Sequence, residues 1–403
     1  MILQKVIDTI DELVKNMNHS GSVLLSTDKE IIYNKCFGFA DITKKIPIFF
    51  KTQLLAGSVT KQFTSVAVLK AIFDKYKTDI KSKLNKSIEY YLPEEHEIWD
   101  RVMPSWARQI TIHQLLVHSS GIANYTSLPE YENQTFEKKS DLINFFKAKE
   151  LEFTPGEKFS YSNSGYYLLG IIIEEIAQQN LDVYLEKTFF EPLGMRSTFL
   201  PMQGTVDELI RTDSRFTNLA RGYQYEITTH NANIEEIKRY ERMELPGAAG
   251  SLITTAEDLL KWNKALYSEK IIPQFLLELM LYPYFVTEQA DTYYGYGIEI
   301  MKSEVLGTYY SHRGGIPGFR SILTYIPSLK LSIITLQNIV ADQEKIMPEV
   351  KRLLEKFPPH LSEESVKQLT DIIETKYPGI VENRKRFEFS PVYEAVINIL
   401  KEN

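Results

Sequence analysis

Ser58-Val59-Thr60-Lys61 sets a hydroxyl and an amine three positions apart. On a helix, side chains at i and i+3 stand roughly 5–6 Å apart on one face. A serine hydroxyl is a weak nucleophile near neutral pH. An amine whose pKa is lowered by burial can take its proton, so the pair could make and break acyl bonds through a covalent intermediate. Downstream, Thr154-Pro155-Gly156-Glu157-Lys158-Phe159-Ser160-Tyr161-Ser162-Asn163 offers a phenol and a carboxamide two positions apart in a turn, and His312-Arg313-Gly314-Gly315 adds an imidazole, a guanidinium and two glycines late in the chain. Taken alone, Ser58 could equally cap a helix ahead of a solvated lysine. A second Ser-x-x-Lys, Ser26-Thr27-Asp28-Lys29, falls on a turn between two β-rich runs and lacks the helical spacing, so it reads as coincidence.

These groups come from distant segments, and the fold must bring them together. From Ser58 to about Asp74 the apolar set Phe63, Val66, Ala67, Leu69 and Ile72 has helical spacing, which predicts Ser58 at a helix start where free N–H groups favour an oxyanion. Ahead of it the chain reads as an amphipathic helix carrying Leu3, Val6, Ile10, Leu13, Val14 and Met17, then strands Gly21–Thr27 and Glu30–Phe39 joined at Asp28-Lys29. The stretch from 80 to 240 is dominated by helical patterns broken by turns. Strand signals return at Tyr294–Met301, Gly307–Ser311, Arg320–Ile326 and Leu331–Leu336, with His312 to Gly315 following the second of them. Strands at both ends with helices between predict an α+β fold: one antiparallel sheet flanked by helices, with an inserted mainly helical lobe. The expected division is 1–75 plus 240–345 for the sheet lobe, 76–239 for the helical lobe, and 346–403 as a C-terminal helical extension packed on the body, with one helix around Val366, Leu369, Ile372 and Ile373 and another opened by Ser390 and Pro391.

With these three elements in this order, the chain resembles the serine β-lactamase and penicillin-binding-protein superfamily, in particular its class C β-lactamase, DD-peptidase and esterase branch. Supporting phrases are Ile110-Thr111-Ile112-His113-Gln114-Leu115-Leu116-Val117-His118-Ser119-Ser120-Gly121, Pro192-Leu193-Gly194-Met195, Gly250 to Leu259 and Tyr294-Gly295-Tyr296-Gly297. The resemblance implies a β-lactamase/transpeptidase-like fold and a serine hydrolase acting through an acyl-enzyme. By it, Ser58 is the nucleophile, Lys61 its proton acceptor and Tyr161 the second acid/base group. Asn163 holds the substrate carbonyl and steadies Lys61; His312, Arg313, Gly314 and Gly315 line the substrate, with the N–H groups of Ser58 and Gly315 as oxyanion hole, each such donor being worth roughly 10²–10³ in rate.

Tyr161 is expected to need positive charge from Lys61 or His312 to lower the cost of its phenolate. His312 stands where the β-lactamase form has a permanently charged lysine, so its charge is expected to vary with pH near neutrality. Arg313 either grips a substrate carboxylate bidentately or points to solvent. The implied substrate is an ester, a D-amino-acid peptide or amide, or less efficiently a β-lactam, a range spanning carboxypeptidase, esterase and amidase. The alternative is a catalytically idle relative that binds ligands or partners, for which Arg313 and the C-terminal helices speak.

Composition excludes other classes. The 403 residues carry 46 Lys+Arg against 53 Asp+Glu, and a net charge of −7 gives no electrostatic reason to expect phosphate backbones or anionic lipid as partners, since both need clustered Lys/Arg. One cysteine, Cys36, rules out an intramolecular disulfide and any Cys-x-x-Cys site, and reads as a small core residue. His113 and His118 stand at i, i+5 and read as structural hydrogen-bonding groups; His96-Glu97 lacks the second histidine of a zinc-protease helix. Tyr131-Glu132-Asn133 lacks the Pro-Gly lead-in of the Tyr161 turn. No metal, no organic cofactor, no nucleic acid and no transmembrane segment is expected; the partner is a small-molecule or peptide substrate. The expected compartment is the cytoplasm as the chain stands, or the periplasm or exterior if a leader was trimmed.

Overall fold

The computed structural model describes residues 2–16, 20–131, 134, 136, 138–225, 234–237, 243, 247–289, 291–341 and 391–402. Its centre is one antiparallel eight-stranded sheet. In chain order the strands are β1 (Gly21–Thr27), β2 (Ile31–Phe37), β3 (Phe285–Val286), β4 (Thr292–Tyr294), β5 (Glu299–Ser303), β6 (Gly307–Ile316), β7 (Phe319–Ile326) and β8 (Leu331–Gln337). They lie in the order β2-β1-β8-β7-β6-β5-β4-β3, so the N-terminal hairpin joins the last strand across nearly the whole chain.

Because side chains alternate across a sheet, each strand feeds two cores. Leu24, Leu323, Ile334 and Leu336 join one core, while Val23, Leu25, Ile322, Ile326 and Ile333 join the other. Covered on both faces, β8 is buried along its whole length and reads as the nearly continuous apolar run Leu-Ser-Ile-Ile-Thr-Leu-Gln. The far face is covered by helix α1 (Ile2–Asn16), through Val6 and Ile10, and by the C-terminal helix Pro391–Glu402, through Tyr393, Val396, Ile397 and Ile399. The helix expected around Val366 to Ile373 lies outside the described residues.

On the near face stand α2 (Thr60–Tyr76), α3 (Asn163–Ala177) and α4 (Ala256–Leu266). Buried on nearly every side, α2 loses the polar stripe of a surface helix: Thr60, Lys61, Gln62, Thr64 and Ser65 are all buried beside Phe63 and Val66. Phe63 stacks on Trp262 of α4, ring centroids 3.8 Å apart.

The mainly helical middle of the chain also contains strand. Tyr223–Tyr225 pairs in parallel with Ile339–Ala341 and antiparallel with Ile234–Glu236. Two strand expectations are corrected. Tyr294–Met301 is not one strand but the hairpin β4–β5, because Gly297 turns at φ +66° and backs onto α2, where a Cβ would lie 2.4 Å from the Lys61 carbonyl oxygen. The strand expected to end at Ser311 continues to Ile316, so His312 to Gly315 sit within β6 rather than after it. The helix start also shifts: Gly57–Val59 forms a 3₁₀ turn, with α2 beginning at Thr60.

Candidate active site

The turn carrying Ser58 is clamped between α2 and β6. Gly57 adopts φ +50°, and a Cβ there would come 2.8 Å from the Gly315 nitrogen. A Cβ on Gly314 would strike the Ala56 carbonyl oxygen at 1.9 Å, an oxygen that accepts from Ser321 Oγ at 2.6 Å. Thr60 Oγ1 donates to the Gly57 carbonyl at 2.6 Å and accepts from Leu252 N–H at 3.1 Å. Glycine is therefore required at 57 and 314 by backbone-to-backbone approach, which brings the turn before Ser58 against the Gly315 amide.

Lys61 is wholly buried. Its Nζ lies 3.0 Å from Ser58 Oγ, 2.7 Å from Asn163 Oδ1 and 2.7 Å from the Ala249 carbonyl oxygen. Burial pushes its pKa well below the ordinary lysine range. A neutral amine has two N–H groups and one lone pair. The two acceptor-only oxygens take the N–H groups, which leaves the lone pair for the Ser58 hydroxyl proton.

Tyr161 and Asn163 come from the turn that opens α3. Asn163 is fixed from both sides: its N–H donates to Asn124 Oδ1 at 3.0 Å and its Nδ2 to Thr126 Oγ1 at 3.0 Å. The Tyr161 ring lies under Lys61, Nζ to centroid 4.8 Å. Its hydroxyl is buried without a hydrogen bond of regular geometry. Burial drives its pKa far above the usual phenol value, with the Tyr166 and Glu299 charges adding to the rise and Ser58 offsetting part of it. Tyr161 therefore resists ionisation, and the burial of Lys61 and His312 opposes the positive charge it is expected to need from them.

His312 makes that plain. Its Nδ1 lies 2.8 Å from the Arg313 carbonyl oxygen, which can only accept, so Nδ1 carries the proton and Nε2 accepts from Tyr294 Oη at 2.8 Å. Tyr294 in turn lies 3.2 Å from His118 Nε2, whose Nδ1 accepts from Ser162 N–H at 3.1 Å. The partners fix one consistent direction, His118 to Tyr294 to His312 to backbone, with every member neutral. Burial, reinforced by Lys61, lowers the His312 pKa to about 3. The expectation that His312 changes charge near neutrality is thus corrected by its desolvation. His118 is likewise pushed down by burial, and reaches the cluster from the left-handed backbone position φ +55° that ends the helix Ile112–Leu116.

Arg313 does not join the others. Alternation along β6 sends it to the far face with Tyr309 and Ser311, where its Nη2 lies 2.6 Å from Gln289 Oε1 and 3.3 Å from Glu299 Oε1. Arg320 lies on that face too, since a Cβ added to Gly315 would meet its guanidinium at 3.4 Å. So Ser58, Lys61, Tyr161, Asn163, His312, Gly314 and Gly315 converge, and Arg313 does neither of the two things expected of it.

Tyr294 and His118 were not among the expected site residues. The Tyr-Gly-Tyr-Gly phrase was the available signal for the first. The groups set aside do have other employment: Ser26 Oγ lies 2.8 Å from Thr27 O and 3.0 Å from Glu30 O, His113 Nδ1 lies 2.8 Å from Tyr296 Oη, and His96 Nε2 pairs with Glu175 at 3.1 Å. Cys36 is half-buried with its Sγ 3.6 Å from Ser22 Oγ. Asn133 lies outside the described residues. Among the described residues no helix is long and apolar enough to cross a membrane, and no three His, Cys, Asp or Glu side chains stand as a metal site.

A protein-family model described as Beta-lactamase matches residues 6–354. Penicillin-binding protein 4* of Bacillus subtilis (strain 168) is 25% identical over 351 residues, 85% of this chain and 72% of that protein. Protein flp of Staphylococcus aureus (strain NCTC 8325 / PS 47) is 28% identical over 263 residues, 65% of this chain; the match spans 48% of that relative, about half its length. Among solved structures, D-amino acid amidase from Ochrobactrum anthropi SV3 shares the fold with a TM-score of 0.69 at 24% identity, covering 85% of this chain and 93% of that one. The octameric penicillin-binding protein homologue from Pyrococcus abyssi aligns with a TM-score of 0.65 at 25% identity, over 84% and 74%.

Proposed function

The chain belongs to the beta-lactamase family, and on that premise we propose that it is a serine hydrolase working through an acyl-enzyme on Ser58, with uncharged esters and D-amino-acid amides or peptides preferred over acyl donors bearing a free carboxylate. The observation that carries this reading is the buried Lys61 amine, whose lone pair has Ser58 as its one remaining partner. As Ser58 Oγ adds to the acyl carbon, its proton passes to Lys61, and the carbonyl oxygen takes its negative charge toward the Ser58 and Gly315 N–H groups. Collapse breaks the bond to the leaving group. That group takes a proton from the Tyr161 phenol, which is restored by the Lys61 ammonium, so no charge remains in the pocket. Water then repeats the sequence, with its proton leaving through Tyr161 and Lys61, and releases the acid from Ser58.

The substrate preference rests on charge. Lys61 and His312 are neutral, and Arg313 and Arg320 lie across the sheet. A carboxylate entering beside His312 therefore meets neither arginine and loses water, a cost of several kcal/mol that a neutral acyl group does not incur. Efficient β-lactam hydrolysis is disfavoured on the same ground.

The test is intact-mass analysis of wild type and Ser58→Ala after incubation with an activated neutral ester, a D-phenylalanine amide and a fluorescent penicillin. The expected result is a Ser58-dependent acyl adduct or turnover with the neutral donors, faster than with the penicillin. If no donor labels or turns over on wild type above the variant, the hydrolase reading is wrong. Stoichiometric binding that survives Ser58→Ala without turnover would establish the idle alternative.

A further inference from the structure

Shortly before Ser58 the chain runs along the surface from Phe39 to Lys51. Phe39–Asp41 and Ile46–Pro47 pair antiparallel, and the segment exposes Phe39 at 42%, Ile46 at 45%, Phe49 at 43% and Phe50 at 50%. By contrast Phe63, Phe146, Phe189, Phe216 and Phe319 are all essentially fully buried. Lys44, Lys45 and Lys51 are exposed among these apolar side chains, and from Ile42 to Gln53 there is no acidic residue. Asp41, the nearest acid in sequence, is buried beneath Lys44 and Arg221.

The display is ordered. Ile48 N–H donates to the Gly38 carbonyl at 3.0 Å, Phe49 N–H to Thr52 Oγ1 at 3.0 Å and Thr52 N–H to the Phe49 carbonyl at 2.8 Å. Ile48 and Thr52 are buried, so the turn is anchored on both sides while Phe49, Phe50 and Lys51 are held outward. Large apolar side chains clustered in water mark a contact surface, and lysines set among them select an anionic one.

We propose that Phe39 to Lys51 is an interfacial contact for an anionic lipid bilayer: Ile46, Phe49 and Phe50 enter the headgroup region and Lys45 and Lys51 meet lipid phosphates, while Lys44 stays paired with Asp41. The charge of this segment is opposite in sign to the chain's net −7, so the segment offers an anionic surface an attraction that the chain's net charge does not. A second copy is a poorer occupant. A two-fold contact would set these lysines against their own counterparts.

The experiment is co-sedimentation of the full chain with phosphatidylcholine vesicles and with vesicles containing phosphatidylglycerol, at low and high salt. Binding to the anionic vesicles alone, weakened by salt, is expected. Each of Lys45→Gln and Lys51→Gln should weaken it roughly five-fold, and Phe49→Ser with Phe50→Ser should abolish it, with unchanged melting temperatures showing intact folding. No binding, or equal and salt-independent binding to both vesicles, overturns the proposal. So does self-association in solution that the two serine substitutions remove while vesicle binding is absent; that result would assign the patch to a second copy.

Discussion

Lys61→Met isolates what a buried neutral amine costs and what it does. Methionine keeps the unbranched shape and removes the titrating group. Two opposing effects follow. Above its lowered folded pKa the wild type must hold Lys61 deprotonated, at a cost of about 1.4 kcal/mol for each unit by which the pH lies below the ordinary value near 10.4. The variant escapes that cost, but leaves Asn163 Oδ1 and the Ala249 carbonyl without a donor, at roughly 1–3 kcal/mol each. These offset one another at any single pH, whereas the pH dependence has a fixed sign. Above the folded pKa and below about 10.4, the unfolded wild type binds one proton that the folded protein does not, so wild-type stability rises with pH. Methionine contributes no such term. The stability of the variant relative to wild type should therefore fall by about 1.4 kcal/mol per pH unit as pH rises through that window toward about 10.4, measured by urea unfolding at stepped alkaline pH. Acylation of a neutral ester should drop by roughly 10²–10⁴ in the same variant. A stability difference that stays constant over this range would mean that Lys61 is charged in the folded protein, and the general-base argument would fail with it.

Tyr294→Phe removes the hydroxyl between two imidazoles and leaves His118 Nε2–H and His312 Nε2 without partners, so a loss of about 1–3 kcal/mol per group is expected in urea unfolding; a change under about 0.5 kcal/mol would contradict the directed chain. Gly314→Ala places a methyl against the Ala56 carbonyl, and single-turnover acylation should fall about 100-fold as the Ser58 turn is pushed aside, whereas Gly315→Ala meets only the end of the Arg320 side chain and should cost less. With its folded pKa at about 3, His312 contributes stability that is lost at about 1.4 kcal/mol per unit as pH falls from roughly 6.5 toward that value; His312→Gln should lack this component of acid sensitivity, and the acylation profile between about pH 5 and 8 should show no His312 step.

Ser58 with Lys61 and Tyr161 with Asn163 were legible because each pair is local: one turn of chain fixes their separation, and the apolar spacing of α2 and α3 shows where each turn lies. The sheet was legible from its β-branched runs. Arg313 was not, because its direction depends on how far β6 extends. Gly314-Gly315 looks like the end of a strand, yet both glycines stay within it, and at Gly314 the Ala56 carbonyl occupies the space a Cβ would need. Once β6 runs to Ile316, alternation sends Arg313 away from Ser58. The His312 charge was hidden for a related reason. Residue type gives an ordinary imidazole pKa, whereas burial and the Tyr294 hydroxyl come from segments whose contact only the fold creates.

The neutrality of these groups has a common origin. Desolvation is the chief influence on Lys61, Tyr161, His118 and His312, in each case disfavouring the charged form, and Glu299, the acid whose charge reaches Tyr161, lies across the sheet with Arg313. A carboxylate placed beside Lys61 would hold the ammonium and remove the base, since an opposite charge within a few ångströms favours the charged form. A second cation beside His312 would instead draw carboxylate-bearing substrates. The Arg313–Glu299 pair confines both charges to the far face of β6. Exchanging the types at 312 and 313 would bring the arginine to the Lys61 side and leave Glu299 behind, changing proton affinity and substrate charge together, which is why the register of one strand matters as much here as the identity of the nucleophile.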